Sequence, residues 1–230
     1  MPGTESWTQW IRSLWSSTPV PLRDITPLAR VQVMFAAAMV AALLDVAAAG
    51  IGWFSPVLRQ QYAEINARAA ERLGYTAQPV EFSPLGIFAS SLFGGAVGAM
   101  LLWGLSGIVV IRGVARMPTE LGNIAAAAVV PLPLVSTISV VVSLLQALVG
   151  SVRVTPSLSL LFDPTATDLR LFAIVSRIDL GSAVHAIAMV RLLLPHIQWN
   201  RIALLSFAAF VVRSAIVAGG IVLIARVSSL

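Results

Sequence analysis

Five long apolar segments, which together make up more than half of the 230 residues, constrain this chain more than any other feature of its sequence. A helix needs about 20 apolar residues to cross the hydrocarbon core of a bilayer, and each segment is at least that long. With 58% apolar and 11% charged residues, the chain is too apolar for a soluble domain of this size. The sequence therefore predicts an all-α polytopic membrane protein with five transmembrane helices, at residues 31–54, 85–111, 122–150, 171–194 and 202–225.

The remaining residues divide into a tail and short connections. Residues 1–30 form the tail, and residues 31–230 form one five-helix membrane domain, because no polar segment is long enough to hold a core of its own. The tail carries Trp7, Trp10 and Trp15 at helical spacing, which predicts an amphipathic helix in the membrane interface with its indole rings at headgroup depth. Its simplest role is that of a membrane anchor, and docking of a partner is the alternative.

A second amphipathic helix is predicted outside the membrane, between the first and second spans. Ser55 and Pro56 supply an N-cap and a first-position proline, and Gly74 follows the predicted end. The apolar stripe of this helix needs a surface, which is the membrane domain itself, the lipid or the extracytoplasmic domain of a partner. The stripe consists of Leu58, Tyr62, Ile65, Ala69 and Leu73.

The basic residues are spread thinly between the apolar segments, and all of them are arginine. Because no basic run exists, we expect no binding of nucleic acid. An equal number of arginines would lie on each side of the membrane, so their count alone does not orient the chain. Arg30 and the short connection at residues 112–120 favour a cytoplasmic N-terminus, which places the C-terminus outside.

Small residues recur every four positions in the second span and form a ridge, which we call the small-residue ridge. Such a ridge lets another helix approach closely. Packing inside the protein is the expected use of this ridge, and contact with a second copy or a partner is the alternative. The ridge consists of Gly86, Ser90, Gly94 and Gly98.

Two prolines interrupt the third span. Pro131 and Pro133 each remove a backbone hydrogen-bond donor, so they predict a kink or a break in this helix. Irregular backbone at membrane depth is tolerated where it is buried in protein or lines a cavity. The break is therefore the strongest local indication of a transport pathway, although a packing role is the alternative.

Six ionisable side chains fall inside the predicted spans, where charge is costly without a partner. Asp45 and Arg213 lie about 21 Å and about 17 Å from the inner ends of their spans at 1.5 Å per residue, so we predict that they pair. The alternative is that each reaches water or headgroups separately. His185, near mid-span, is either a neutral hydrogen-bonded side chain or a proton relay. The remaining three lie near the ends of the fourth span, where they can be hydrated: Arg177, Asp179 and Arg191.

No motif for catalysis or metal binding stands out. The chain has no cysteine, and it lacks the H-E-x-x-H, P-loop and dinucleotide-binding motifs. Residues 104–107 (GLSG) match the G-x-S-G string of rhomboid-type intramembrane serine proteases, with His185 as the possible base, but small residues of this kind are common in spanning helices. We therefore predict that the protein is not an enzyme and has no catalytic residues, cofactor or metal.

Three stretches resemble a known family. They are residues 116–122 (RMPTELG) leading to the prolines at 131 and 133, residues 176–180 (SRIDL) at the start of the fourth span, and the polar turn at residues 195–201. Their order resembles the bacterial branch of the Yip family, the five-span membrane proteins that interact with Ypt/Rab GTPases. The resemblance runs from about residue 84 to the C-terminus, and the chain departs from it where Val184 or His185 replaces an expected aromatic residue.

The resemblance implies five spans, a cytoplasmic N-terminus and a non-enzymatic role. Bacterial members often occur beside macrolide-exporter-type ABC transporters, so the expected function is an accessory or assembly subunit of an inner-membrane complex, namely an ABC-type exporter with a periplasmic adaptor. The expected partners are membrane lipid, an ABC permease and the adaptor, and the expected location is the bacterial inner (cytoplasmic) membrane. The alternative is a small transporter or lipid-handling protein that uses the broken third span and the polar layer of Asp45, His185 and Arg213.

Overall fold

The computed structural model describes residues 26–73, 81–161, 171 and 174–227. Within these ranges the chain is helical and contains no β-strand, apart from an isolated bridge. Four helical segments are long and apolar enough to cross a membrane, so the chain is an all-α, multi-span membrane protein. The predicted tail helix with Trp7, Trp10 and Trp15 lies outside the described residues. The four segments are Pro27–Phe54, Pro84–Val114, Leu121–Val149 and Trp199–Leu223.

The first span is a single helix, α1 (Pro27–Phe54). Thr26 caps its start, because the threonine hydroxyl accepts a hydrogen bond from the backbone N–H of Ala29 at 3.3 Å. Pro27 occupies the first turn, where a missing N–H is harmless. The buried face of α1 consists of alanine and glycine, which allows the helix to pack closely against the third span.

The second span alternates between two helical forms. The α-helices α3 (Pro84–Ala89) and α4 (Ala96–Gly107) are joined by a π-helical segment at Ser90–Gly95, and a second π-helical segment follows at Ile108–Val114. A π-helical turn holds more residues than an α-helical turn, so each segment rotates the faces that follow it along the span.

The third span is broken. Helix α5 (Leu121–Val129) and helix α6 (Leu132–Val149) are separated by a turn at residues 130–131. Pro131 itself is almost completely buried, so the break lies inside the protein rather than in lipid. Helix α6 ends at Gly150, whose positive φ of 70° suits a residue without a side chain.

The predicted fourth span, residues 171–194, differs in the structure. A turn at residues 176–178 precedes α7 (Leu180–Leu193), which has only 14 residues and is about 21 Å long. Asp179 caps this helix by accepting a hydrogen bond from the N–H of Ser182 at 2.8 Å. Because most positions of α7 are buried, it packs as an inner helix among α5, α6 and α8 (Trp199–Val227).

Helix α2 (Pro56–Leu73) lies at the end of the bundle where α6 ends. Leu58 and Ala70 are buried, but Tyr62 and Ile65 are 41% and 50% exposed, so the predicted apolar stripe is not the packed face as a whole. Polar contacts instead determine which face of α2 points to the bundle, and the spacing of apolar residues does not predict such contacts.

Two glutamines supply those polar contacts. Gln61 of α2 donates to the carbonyl of Gly150 at 2.9 Å and accepts from the N–H of Val152 at 2.9 Å. Gln146 of α6 donates to two carbonyls of the following loop, at 3.1 and 2.9 Å, and accepts from the hydroxyl of Tyr62 at 3.2 Å. The loop after α6 is thus held between α2 and α6 by a connected hydrogen-bond network.

Candidate functional site

Three large polar or aromatic side chains meet in the middle of the bundle and form what we call the core cluster: Trp103 of α4, His185 of α7 and Arg213 of α8. The rings of Trp103 and His185 are stacked, with centroids 4.5 Å apart and planes 6° from parallel. The guanidinium carbon of Arg213 lies 5.5 Å from the Trp103 ring centroid, within the range of a cation–π contact. All three side chains are buried, so the cluster joins three helices without exposure to lipid.

The histidine of this cluster bonds to the backbone at the break in the third span. His185 Nε2 lies 2.9 Å from the carbonyl oxygen of Ala128, and the nitrogen must donate because a carbonyl only accepts. In a continuous helix that carbonyl would accept from the N–H of Leu132, which makes no such bond here. His185 therefore replaces a hydrogen bond that the break removes.

The arginine of the cluster bonds to a second interruption of helix. Arg213 donates from Nη1 to the carbonyl of Arg177 at 2.7 Å, within the turn that precedes α7. The carboxylate of Asp179 lies close enough to Arg213 for their opposite charges to attract. The Nε of Arg213 is buried and has no hydrogen-bond partner among the described residues. This side chain thus stabilises the turn with its terminal Nη1, while its inner Nε is left unsatisfied.

The predicted pair between Asp45 and Arg213 does not form in the structure. Asp45 instead accepts a short hydrogen bond from the hydroxyl of Ser91, in the first π-helical segment, and no ion pair joins it to Arg213. The sequence placed both residues at similar depth, but depth does not say which way a side chain points around its helix. The two polar groups consequently belong to separate contacts rather than to one polar layer.

The other predicted intramembrane residues lie near the two ends of α7. Arg177 is exposed in the turn before the helix, and Asp179 is its half-buried N-cap. Arg191, in the last turn, is buried, and its guanidinium carbon lies 4.6 Å from the ring centroid of Trp199 at the start of α8. Exposure thus accounts for the charge of Arg177, capping for that of Asp179 and stacking for that of Arg191.

The small-residue ridge faces away from the rest of the described structure. A Cβ atom added at Gly94 or Gly98 would meet no described atom within 4 Å, and Gly86 and Ser90 are exposed. By contrast, a Cβ added at Gly107 in the same span would lie 2.9 Å from a methyl group of Ile124. Close packing inside the described structure therefore occurs at Gly107, and none of the described helices packs on the ridge at Gly94 or Gly98.

No reactive arrangement surrounds the one serine that matches a protease string. The hydroxyl of buried Ser106 donates to the carbonyl of Leu102 at 2.6 Å, one turn earlier in its own helix, and the described structure shows no bond from it to His185. Within the described ranges, no three His, Asp or Glu side chains are grouped as metal ligands. The core cluster can bridge helices, but its described residues present no activated nucleophile.

Sequence reasoning missed Trp103 and the two glutamines. A tryptophan in an apolar span gives no periodic signal that it will stack on a histidine 82 positions later, because the contact depends on how the helices are arranged. Gln146 offered a usable signal, since an uncharged amide near the end of an apolar helix has to find partners.

Comparisons of this chain with known protein families, with characterised proteins and with solved structures found no match. The resemblance to the Yip family consequently rests on the three sequence stretches described above.

Proposed function

We propose that this chain is a non-catalytic accessory or assembly subunit of an inner-membrane complex, and that it contacts a neighbouring membrane protein through the small-residue ridge. The complex we propose is an ABC-type exporter with a periplasmic adaptor, as the family resemblance implies. The observation that carries the proposal is the open space beside Gly94 and Gly98, where no described helix of this chain packs. Close approach of helix backbones in lipid depends on such small residues.

The polar residues support the same proposal by what they already bind. His185 and Arg213 each donate to a backbone carbonyl at an interruption of helix, and Asp45 accepts from Ser91. A transport pathway needs polar groups that can exchange protons or ligands along a continuous route. Because these groups are engaged at separate places, the arrangement favours a structural role for them over the small-transporter alternative.

We propose a cytoplasmic N-terminus, as the family resemblance implies, with support from Arg30 and the short connection at residues 112–120. The end of the bundle that includes the start of α1 carries Arg30, Arg112, Arg116 and Arg201, with Glu120 as the acidic residue of the connection between the second and third spans. The opposite end carries arginines as well, so the arginine count adds nothing to this support. The topology we propose accordingly has five membrane crossings, of which α7 makes the fourth as a short inner helix.

The experiment is a mild-detergent pull-down of the tagged chain from its native membrane, with mass spectrometry of the proteins recovered. We expect an ABC permease or its adaptor to come with the native chain, and Gly98→Leu to lose it because a leucine side chain holds the two helices apart. Gly219→Leu is the matched control, because a Cβ atom at Gly219 of α8 would also meet no described atom within 4 Å, yet this glycine lies off the ridge.

Two results would contradict the proposal. One is a native chain that is recovered alone and monodisperse, and the other is a Gly98→Leu variant that retains every partner of the native chain. Because the leucine at position 98 meets open space beside the described helices, loss of partners cannot be explained by misfolding if the variant unfolds at the same temperature as the control.

A further inference from the structure

A pocket of about 500 Å³ opens at the end of the bundle where the third span begins. One wall is the connection between the second and third spans, and the other is the end of α7 with the turn that follows it. Much of the wall is apolar, including Met117, Leu193 and Ile197. Because this pocket lies where the spanning helices end, we expect it to sit at the level of the lipid headgroups.

One polar side chain in this pocket has an unsatisfied acceptor. Asn123, in the first turn of α5, lines the pocket and is only 6% exposed, and its Oδ1 accepts no hydrogen bond from any described residue. A buried acceptor without a donor is uncommon, because it loses its hydrogen bond to water without replacement. An occupant that donates a hydrogen bond would remove this cost.

The negative charge of Glu120 at the pocket matches an occupant that donates hydrogen bonds. Glu120 lines it beside Asn123, and its carboxylate is largely exposed, with one oxygen 3.4 Å from a guanidinium nitrogen of Arg30. None of the described residues that line the pocket is an arginine. The lining also includes Thr119 and His196, and its two neighbouring acceptors, the Glu120 carboxylate and Asn123 Oδ1, together match a cation with several N–H donors.

We propose that this pocket binds the primary ammonium headgroup of a membrane phospholipid, with phosphatidylethanolamine as the probe. The ammonium donates to Asn123 Oδ1 and to the Glu120 carboxylate, and the apolar wall contacts the upper part of the acyl chains. A soluble amphipathic amine offers the same ammonium chemistry. The position of the pocket at the ends of the spans, where lipid is the more concentrated source, favours the phospholipid.

The test is native mass spectrometry of the purified full chain with equal amounts of phosphatidylethanolamine and phosphatidylcholine that have identical acyl chains. Phosphatidylcholine is the matched ligand because its trimethylammonium group has no N–H donor. We expect the native chain to retain phosphatidylethanolamine at least about tenfold better, the factor that corresponds to one charge-assisted hydrogen bond. Asn123→Leu and Glu120→Gln should each reduce this preference, and Gln198→Leu, at an exposed site outside the pocket, should keep it.

Equal retention of the two lipids by the native chain would overturn the proposal. So would a preference that survives in both Asn123→Leu and Glu120→Gln, since the headgroup would then bind elsewhere. Adding dodecylamine separates the two sources of the ammonium group. Tight binding of dodecylamine by a chain that does not prefer phosphatidylethanolamine would assign the pocket to a soluble amine and overturn the lipid assignment.

Discussion

Replacing His185 by phenylalanine should destabilise the protein through a single lost hydrogen bond. Phenylalanine keeps a flat ring that can stack on Trp103, but it has no nitrogen to donate to the carbonyl of Ala128, which His185 reaches at 2.9 Å. Ala128 is fully buried, so water does not replace the missing donor. In a continuous helix the N–H of Leu132 would donate to this carbonyl, but the break at the prolines prevents that hydrogen bond.

The magnitude follows from that geometry. A buried acceptor left without a donor costs about 1–3 kcal/mol, whereas hydrogen bonds between membrane helices contribute on average about 0.6 kcal/mol and at most about 1.7 kcal/mol. We therefore expect His185→Phe to lower the free energy of unfolding by about 1–2 kcal/mol. His185→Ala should cost more, because it also removes the stacked ring, worth about 0.5–1.5 kcal/mol, and leaves a cavity.

The assay is reversible unfolding in mixed micelles with increasing sodium dodecyl sulfate, monitored by tryptophan fluorescence. Ile187→Phe is the control, because Ile187 lies on the same helix but is 37% exposed, on a face that does not point to the buried break. A His185→Phe variant as stable as the native protein would refute the capping role. A stable variant that has also lost a transport activity would favour the proton-relay hypothesis instead.

Two further predictions concern the network that holds α2. Gln146→Leu leaves two loop carbonyls and the hydroxyl of Tyr62 without their partner, so it should lower the free energy of unfolding by about 1–3 kcal/mol and increase hydrogen exchange in α2; unchanged exchange would contradict the network. Partial burial raises the pKa of Tyr62 above its usual value of 10.0, so its contribution to stability is fully present below pH 10 and is lost as the pH rises through the higher folded pKa. Unfolding measured between about pH 8 and pH 11 should show this loss in the native chain and not in Tyr62→Phe, and identical pH profiles would contradict it.

Length and apolarity allowed the membrane helices to be predicted because both are local properties of the sequence. A run of apolar residues has few alternatives to a spanning helix, and four such helices are present in the structure. The start of α2 was predictable for a similar reason, since a serine followed by proline restricts where a helix can begin.

For the fourth predicted span, length and apolarity did not predict where the helix begins. The apolar run at residues 171–194 is continuous enough for a spanning helix, yet α7 begins only at Leu180 because Asp179 caps a new helix there. The spacing of Asp179 and Ser182, typical of a capped start, was a local signal for this boundary. Hydropathy averaged over a long window does not detect this capping signal, because it measures only mean apolarity.

Contacts between helices were harder to predict, because they depend on direction around the helix as well as on depth. Each residue turns the side chain by about 100°, so an uncertainty of one or two residues in register is enough to change the neighbour. The π-helical segment at Ser90–Gly95 adds a further rotation, which the sequence pattern does not predict. Asp45 consequently meets Ser91 in the structure and not Arg213.

His185 and Arg213 follow one physical rule once the helix interruptions are known. Each break leaves carbonyl groups without a helical donor, and lipid cannot supply one. His185 donates at the break in the third span, and Arg213 donates at the turn before α7. Because a donor on a neighbouring helix is needed wherever a helix breaks, these two residues connect helices that apolar packing alone would not orient. The broken backbone therefore gives both side chains a structural role as hydrogen-bond donors.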